Sequence, residues 1–184
     1  KILEVLKVKS NGFLGGKIID AQLSTETIKK NLLNIEKKIN YIFRHITLVI
    51  NENNIKCINV SGFKKLSGLE IVNEDVSQIL NNIKKLIIDN DSRYSLIHLF
   101  NSKFILDGII LEDLPTGLHG ELYSQHLSFF LIPKNDVKNF KSIFNKCNIS
   151  IERIILKPFI KGAEIIKKNN YSKNLFILIN IGRQ

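Results

Sequence analysis

The last residues of the chain have the types and the order of a phosphate-binding turn. Leu175 to Ile179 is a continuous apolar run, the pattern of a strand buried on both faces, and it leads into Asn180-Ile181-Gly182. A buried strand that runs into a small polar residue and a glycine commonly builds such a turn, because glycine lets backbone N–H groups approach an anion. Arg183 and Gln184 follow, where such a turn would need further glycines and a hydroxyl. The candidate cofactor-binding residues are therefore Asn180, Gly182 and Arg183.

Elsewhere the reactive residue types lack partners. His98 sits among Leu96, Ile97, Leu99 and Phe100 and is expected to be a packed, hydrogen-bonded core histidine. His119 lies in a glycine-rich stretch and His126 on a strand, and neither has a paired carboxylate at metal-ligand spacing. His45 opens a strand and is expected at the surface. Glu112-Asp113 reads as a solvated loop edge rather than an acid–base pair. Ser61-Gly62 and Ser67-Gly68 read as turn residues rather than nucleophiles. Cys57 and Cys147 stand in no metal or redox motif, and no nucleophile elbow, P-loop or dinucleotide fingerprint occurs. No catalytic residue and no metal site is expected. The stretch Pro115, Thr116, Gly117, Leu118, His119 and Gly120 has two readings. One is a wide connection between strands; the other is an exposed contact surface, since loops on rigid scaffolds often carry binding.

The chain has 184 residues, 44% of them hydrophobic, enough for one respectable core or two small ones. No apolar run approaches the roughly 18 residues of a membrane span. Lys1-Ile2-Leu3-Glu4 shows no basic region followed by a long apolar stretch, so no secretory leader is expected. Two isolated cysteines suit a reducing cytoplasm. There is no methionine, and with the abrupt close this leads to the expectation of a piece of a longer protein. The formal charge of +10 invites a polyanion as partner. The lysines, however, run along the whole chain in doublets such as Lys29-Lys30, Lys37-Lys38, Lys64-Lys65 and Lys84-Lys85. Ile, Asn and Lys dominate together, as in a very AT-rich genome. That bias raises the charge without selecting for a polyanion, and no nucleic-acid partner is expected.

The elements that must position these residues alternate. Leu3 to Val8 reads weakly as a strand, and Gly15 to Asp20 as a second one after a glycine turn. Ser24 is placed to cap a helix with Ile28, Leu32, Ile35, Ile39 and Ile42 on one face. His45 to Asn51 reads as a strand with a buried centre. From Ile55 the texture changes to a long, half-exposed strand. Asn73 is placed to cap a helix whose inner face is Val76, Ile79, Leu80, Ile83 and Ile87. Tyr94 to Gly108 and Glu121 to Pro133 are long strands, and the link between them, with Pro115, Gly117 and Gly120, reads as loop. Strand, helix, strand, strand is a self-contained α+β unit. After Pro133 come a helix presenting Val137, Phe140, Ile143 and Phe144, a strand from Ile149 to Leu156, and a helix with Pro158 near its first turn. The run from Leu175 is the closing strand. The expected topology is an α/β domain with an α+β unit inserted in it.

Read with this layout, several strings resemble the FtsA family of actin-like bacterial cell-division proteins, almost end to end. "NGFLGGKIIDAQ" looks like the family's glycine turn and strand before its first long helix. Glu74, Asp75 and Val76 resemble its "T-x-E-D-V" helix opening. His98, Phe104 and Asp107 match its "V-L-H-V-I-P-Q-E-Y-x-I-D" strand pair. Gly117, Leu118 and Gly120 lie on the pattern of its "P-x-G-L-S-G" loop. "ILKPFIKGAEII" is similar to "L-E-P-L-A-S-A", and "LINIGRQ" occupies the place of the second phosphate loop, "V-D-I-G-G-G-T". There are departures. Asn180 stands for an aspartate that helps organise magnesium. Arg183 and Gln184 stand for glycines, although Arg183 could reach a phosphate by charge-assisted hydrogen bonds. Asn51-Glu52 replaces Ser-Gly, and Asn101 replaces proline.

The resemblance implies an α/β fold, a partial actin-like (ribonuclease H-like) domain with an inserted strand-helix-strand-strand α+β subdomain. Residues 53–132 would be subdomain 1C, SHS2-like, and residues 1–52 and 133–184 the two parts of subdomain 1A. It implies a scaffold that polymerises at the inner membrane at the division site, tethers FtsZ and recruits late division proteins such as FtsN. Its membrane contact would be peripheral, through a segment not in this chain. ATP is the cofactor it implies, with at most a weak ATPase in the intact protein. Subdomain 1C would contact a neighbouring subunit, which is where the Pro115–Gly120 loop falls. The alternatives are another actin-like assembly protein such as the pilus-assembly protein PilM, and a basic nucleic-acid-binding module.

Overall fold

The computed structural model describes residues 2–51 and 54–169. In chain order its elements are β1 (Phe13–Leu14), β2 (Lys17–Ile18), α1 (Ala21–Ile39), β3 (His45–Ile50), β4 (Lys56–Lys65), α2 (Asn73–Asn90), β5 (Tyr94–Leu106), β6 (Ile109–Leu111), β7 (Leu122–Pro133), α3 (Lys134–Lys146), β8 (Ser150–Leu156) and α4 (Lys157–Asn169). They form two compact units, one made of residues 54–134 and one made of the segments that flank them in sequence.

In the flanking unit, Gly15 and Gly16 take φ of +56° and +82° and fold β1 back onto β2. The strand expected after the glycine turn is thus one arm of a hairpin, with the paired positive φ that such a two-residue turn requires. Leu3 to Val8 is not a strand. No strand among the described residues pairs with it, and a strand needs such a ladder for its backbone groups. Asp20, not Ser24, caps α1: its Oδ1 accepts from the Leu23 N–H at 2.9 Å. Ser24 lies inside the first turn, fully buried, where its hydroxyl donates to the Gly12 carbonyl at 2.9 Å. The helix ends at Asn40, which takes the left-handed conformation that commonly closes a helix. Ile42 lies past that end and is 74% exposed, so it does not share the helix's apolar face.

Strands β3 and β8 pair in parallel, from His45 opposite Ser150 to Ile50 opposite Leu156. Burial along β3 alternates and is complete only at Ile50. The buried part is therefore the strand's end, not its centre. Helix α3 buries Val137, Phe140 and Ile143, with Phe144 half-buried beside them, which is the expected face. Pro158 lies in the first turn of α4, where a missing N–H costs nothing. The closing run Leu175 to Ile179 lies outside the described residues.

The inserted unit is a four-stranded antiparallel sheet in the order β4–β7–β5–β6, with α2 packed on one face. Its core holds Ile71, Ile79, Ile83, Tyr123, Leu127, Phe129 and Leu131, flanked by the partly buried Val76 and Ile87. The helical spacing read from the sequence is the face that packs, except at Leu80, which is half-buried outside this core. Helix α2 opens on Val72, which is extended, and Asn73 is its first helical residue. The cap comes instead from Asp75, whose Oδ2 accepts from the Val72 N–H at 3.0 Å. Ser61-Gly62 is no turn but the middle of β4. A Cβ at Gly62 would stand 2.3 Å from Ile79 Cγ2 and 2.5 Å from Ile83 Cδ1, so the missing side chain is what lets α2 lie close to the sheet. Ser67-Gly68 is a turn, as expected, with φ of +54° and +81°. β5 turns through Asp107-Gly108 into β6, so the link read as loop contains a short strand.

Asp75 is 5% exposed and ion-paired to Lys64. The Lys64 ammonium, helped by the Val72 N–H, holds its carboxyl below the ordinary value of 3.8. A carboxyl depressed on folding contributes stability above its unfolded value, and that stability is lost as pH falls through the folded one. Asp75→Asn is therefore expected to lower stability at neutral pH by about 1 kcal/mol and to flatten the loss of stability that begins below 3.8. Urea unfolding across the acid range checks both. Asp91, held low by Arg93 and then by Lys56, leaves the variant some acid dependence. An unaltered acid limb would remove Asp75 from the account.

Candidate protein-interaction surface

The Pro115–Gly120 loop is strapped to the segment between β4 and α2. Leu66 N–H donates to the Glu121 carbonyl (2.8 Å), Gly68 N–H to Gly120 (3.0 Å), Ile71 N–H to Leu118 (2.9 Å) and Gly117 N–H to Ile71 (3.0 Å). Glu70 and His119 pair as an antiparallel bridge, and Pro115 is buried. The loop is thus a continuation of the sheet's hydrogen bonding at its end. Thr116 and His119 are exposed, and Leu118 and Leu69 are 49% and 69% exposed. A rigid frame presents them to solvent.

Asp107 fixes where the loop rejoins the sheet. Its Oδ1 accepts from the N–H groups of Glu121 (2.9 Å) and Leu122 (2.7 Å), and its Oδ2 accepts from Glu121 (3.1 Å). Its own φ is +50°, a conformation that aspartate and asparagine tolerate better than other residues with a side chain. Asp107→Ala is expected to cost about 1–2 kcal/mol and to speed hydrogen exchange at the Glu121 and Leu122 amides, while Asp107→Asn recovers part of both. Unchanged exchange at those two amides in the alanine variant would show that the carboxylate does not hold the loop.

The other candidates take quieter places. His98 is half-buried and stacked on Phe100, with ring centroids 5.9 Å apart; burial pushes its imidazole below the ordinary value of 6.5. His126 is half-buried on β7, and Glu112 and Asp113 are exposed. His45 is exposed, its Nδ1 2.6 Å from Ser150 Oγ and 3.6 Å from Glu152. Cys147 is half-buried, with its thiol against the Thr25 carbonyl; burial pushes that thiol up. Among the described residues no group of three or more His, Cys, Asp or Glu could hold a metal ion, and no helix is long and apolar enough to cross a membrane. Asn101, where proline was the pattern, sits at a register shift of β5. Its amide donates to Gln125 Oε1 at 3.0 Å. Gln125 is fully buried, and its own amide donates to the Val76 carbonyl at 3.2 Å. Asparagine there satisfies a buried acceptor, which proline could not do. Asn180, Gly182 and Arg183 lie outside the described residues.

Comparison with known proteins adds the following. Residues 53–124 match the SHS2 domain inserted in FtsA. Cell division protein FtsA of Buchnera aphidicola subsp. Schizaphis graminum is 21% identical over 182 residues, covering 99% of this chain and 43% of that protein. A protein of Buchnera aphidicola subsp. Baizongia pistaciae named as a HemW-like heme chaperone is 33% identical over 141 residues, 75% of this chain and 34% of that protein. Among solved structures, the PilM–PilN type IV pilus biogenesis complex is similar with a TM-score of 0.50 at 12% identity, over 88% of this chain and 41% of that one. That is a likeness of fold, and it fits the partial actin-like α/β domain with an inserted α+β unit that the sequence implied. With FtsA's inserted domain at its centre and FtsA proteins of several bacteria aligning along nearly its whole length, the chain is FtsA-like from end to end and spans less than half the length of those relatives.

Proposed function

We propose that this chain is part of a bacterial cell-division scaffold that works through protein contacts. The observation that carries the proposal is the inserted SHS2 domain of FtsA at residues 53–124, with its end loop held rigid by backbone bonds. In this reading residues 53–132 act as subdomain 1C and residues 1–52 and 133–184 as the parts of 1A. The scaffold polymerises beneath the inner membrane with peripheral membrane contact, tethers FtsZ and recruits late division proteins such as FtsN. The Pro115–Gly120 loop is the surface that meets a neighbouring subunit. Nucleotide enters through Arg183, whose guanidinium would contact a phosphate of ATP; calorimetry with ATP and magnesium checks it, and silence at saturating nucleotide removes it.

The contact is tested by adding the chain in excess to a polymerising FtsA and following the pelleted mass. Severalfold less pellet is expected, because added chains occupy the loop's partner surface, and Leu118→Asp is expected to abolish the effect. Unchanged pelleting, or a loop variant as active as the original, counts against the loop. The pilus-assembly alternative has a likeness of fold alone behind it, and binding to FtsZ rather than to a pilus-assembly partner separates the two.

A further inference from the structure

The sheet of the inserted unit ends on two unlike edges. On one side stand β6, with three residues, and the length of β5 beyond it, whose pairing with β7 slips between Leu96 and His98 and again between Asn101 and Lys103. Bulges of that kind spoil an edge as a template for another chain. On the other side stands β4, whose ten residues pair with β7 without a single register shift. It contains no proline, and from Cys57 to Phe63 it carries no charge.

The direction of its free groups follows from the ladder. Leu66 N–H donates to the Glu121 carbonyl and Asp107 N–H to the Leu122 carbonyl. Backbone groups alternate between the two sides of an antiparallel strand. Counting back from Leu66, those of Lys64, Gly62, Val60 and Ile58 face β7, and those of Phe63, Ser61, Asn59 and Cys57 face outward. Among the described residues nothing pairs with the outward set.

Beside this edge lies a groove. A cavity of about 220 Å³ is lined by Gly62, Phe63, Lys64 and, from α2, Gln78, Ile79 and Asn82. Phe63 is 74% exposed at its rim. A strand added to β4 would turn alternate side chains toward this groove, which is how edge strands beside a helix acquire specificity for extended peptides. The charges choose the occupant. Lys56 and Arg93 share Asp91 at one end, while at the other Lys64 is paired to Asp75 and Lys65 has no ion pair among the described residues. Both ends are left net positive. A second copy centred on Val60 would set Lys56 opposite Lys64, a like-charge pair that opposes self-pairing.

We propose that the free edge of β4, with the groove between it and α2, binds an extended segment of another protein by strand addition. That segment carries carboxylates at its ends and a small apolar residue to enter the groove. The test uses the full chain and a short blocked peptide that alternates valine and threonine between glutamate ends, with a lysine-ended peptide as control. Saturating glutamate-ended peptide is expected to slow amide exchange about tenfold at Cys57, Asn59, Ser61 and Phe63, and to leave Ile58 and Val60 unchanged. Added salt or the lysine-ended peptide removes the effect. Ser61→Pro deletes one outward N–H, a place where an edge strand accepts proline, and Asn82→Trp fills the groove from an exposed helix position; each abolishes the protection while the amides of α2 stay protected. Equal protection by both peptides, or none by either, overturns the proposal. So does protection of the four amides before peptide is added, which would mean the chain covers its own edge. A dimer that Ser61→Pro dissolves in sedimentation velocity would make the occupant a second copy, and overturn it too.

Discussion

Phe129→Ala is expected to lower the unfolding free energy by about 3–5 kcal/mol. Phe129 is 0% exposed and sits on β7, which at this point is paired on both sides. It stands opposite Ile58 of β4 and Leu99 of β5, both packed on the same core. Truncation removes the ring's burial and leaves a void walled by a strand on each side and by α2, none of which collapses without breaking a ladder. Against a typical total of about 5–15 kcal/mol, such a loss brings the inserted unit near its unfolding midpoint. Urea unfolding followed by circular dichroism measures it. Phe63→Ala is the control, since that ring is 74% exposed and its loss should change stability by no more than about 0.5 kcal/mol. A cost at Phe129 no greater than at Phe63 would mean that this core does not hold the unit together.

Gly62→Val is expected to cost about 3 kcal/mol, for the opposite reason. Here volume is added where the helix and the sheet already touch. The new Cβ alone would meet the ends of Ile79 and Ile83 at 2.3 and 2.5 Å. Those ends are flexible, so Gly62→Ala is expected to cost less than valine, whose two further methyls force α2 to lift. Combined with Ile83→Ala, Gly62→Val should cost less than the sum of the separate changes, because one vacates what the other fills. Additive costs in that double-mutant cycle would show that the close approach of α2 is not the source of the loss.

What the sequence made legible was what depends on local period. The inner face of α2 follows from spacing that brings every third or fourth residue to one side, and β5 and β7 from long stretches rich in strand-forming residues. What it hid depends on distant partners. Leu3 to Val8 has the composition of a strand, but a strand exists only through its neighbour. Ser61-Gly62 has the composition of a turn, and only the approach of Ile79 and Ile83 shows why a glycine stands inside β4. Asp20 and Ser24 could each have capped α1; the Gly12 carbonyl took the serine's hydroxyl and left the cap to the aspartate. The Pro115–Gly120 loop announced itself by proline and glycine. Its anchor, Asp107, did not, because nothing in the spacing says that its carboxylate reaches the Glu121 and Leu122 amides. β6 was too short to leave a pattern.

The register of β4 against β7 has a consequence for the order in which the protein assembles. Lys56 and Leu131 are opposite one another, so the insert enters and leaves on adjacent strands. Strands β3 and β8, which it separates along the chain, can meet in parallel only after that long stretch has been gathered in. Closing a disordered connection becomes more costly with its length. A folded insert replaces the whole stretch by two neighbouring attachment points, so the cost of joining the outer strands is largely met before they meet. During synthesis the middle of this chain would then act as its own staple, and the outer layer would be the last part to close.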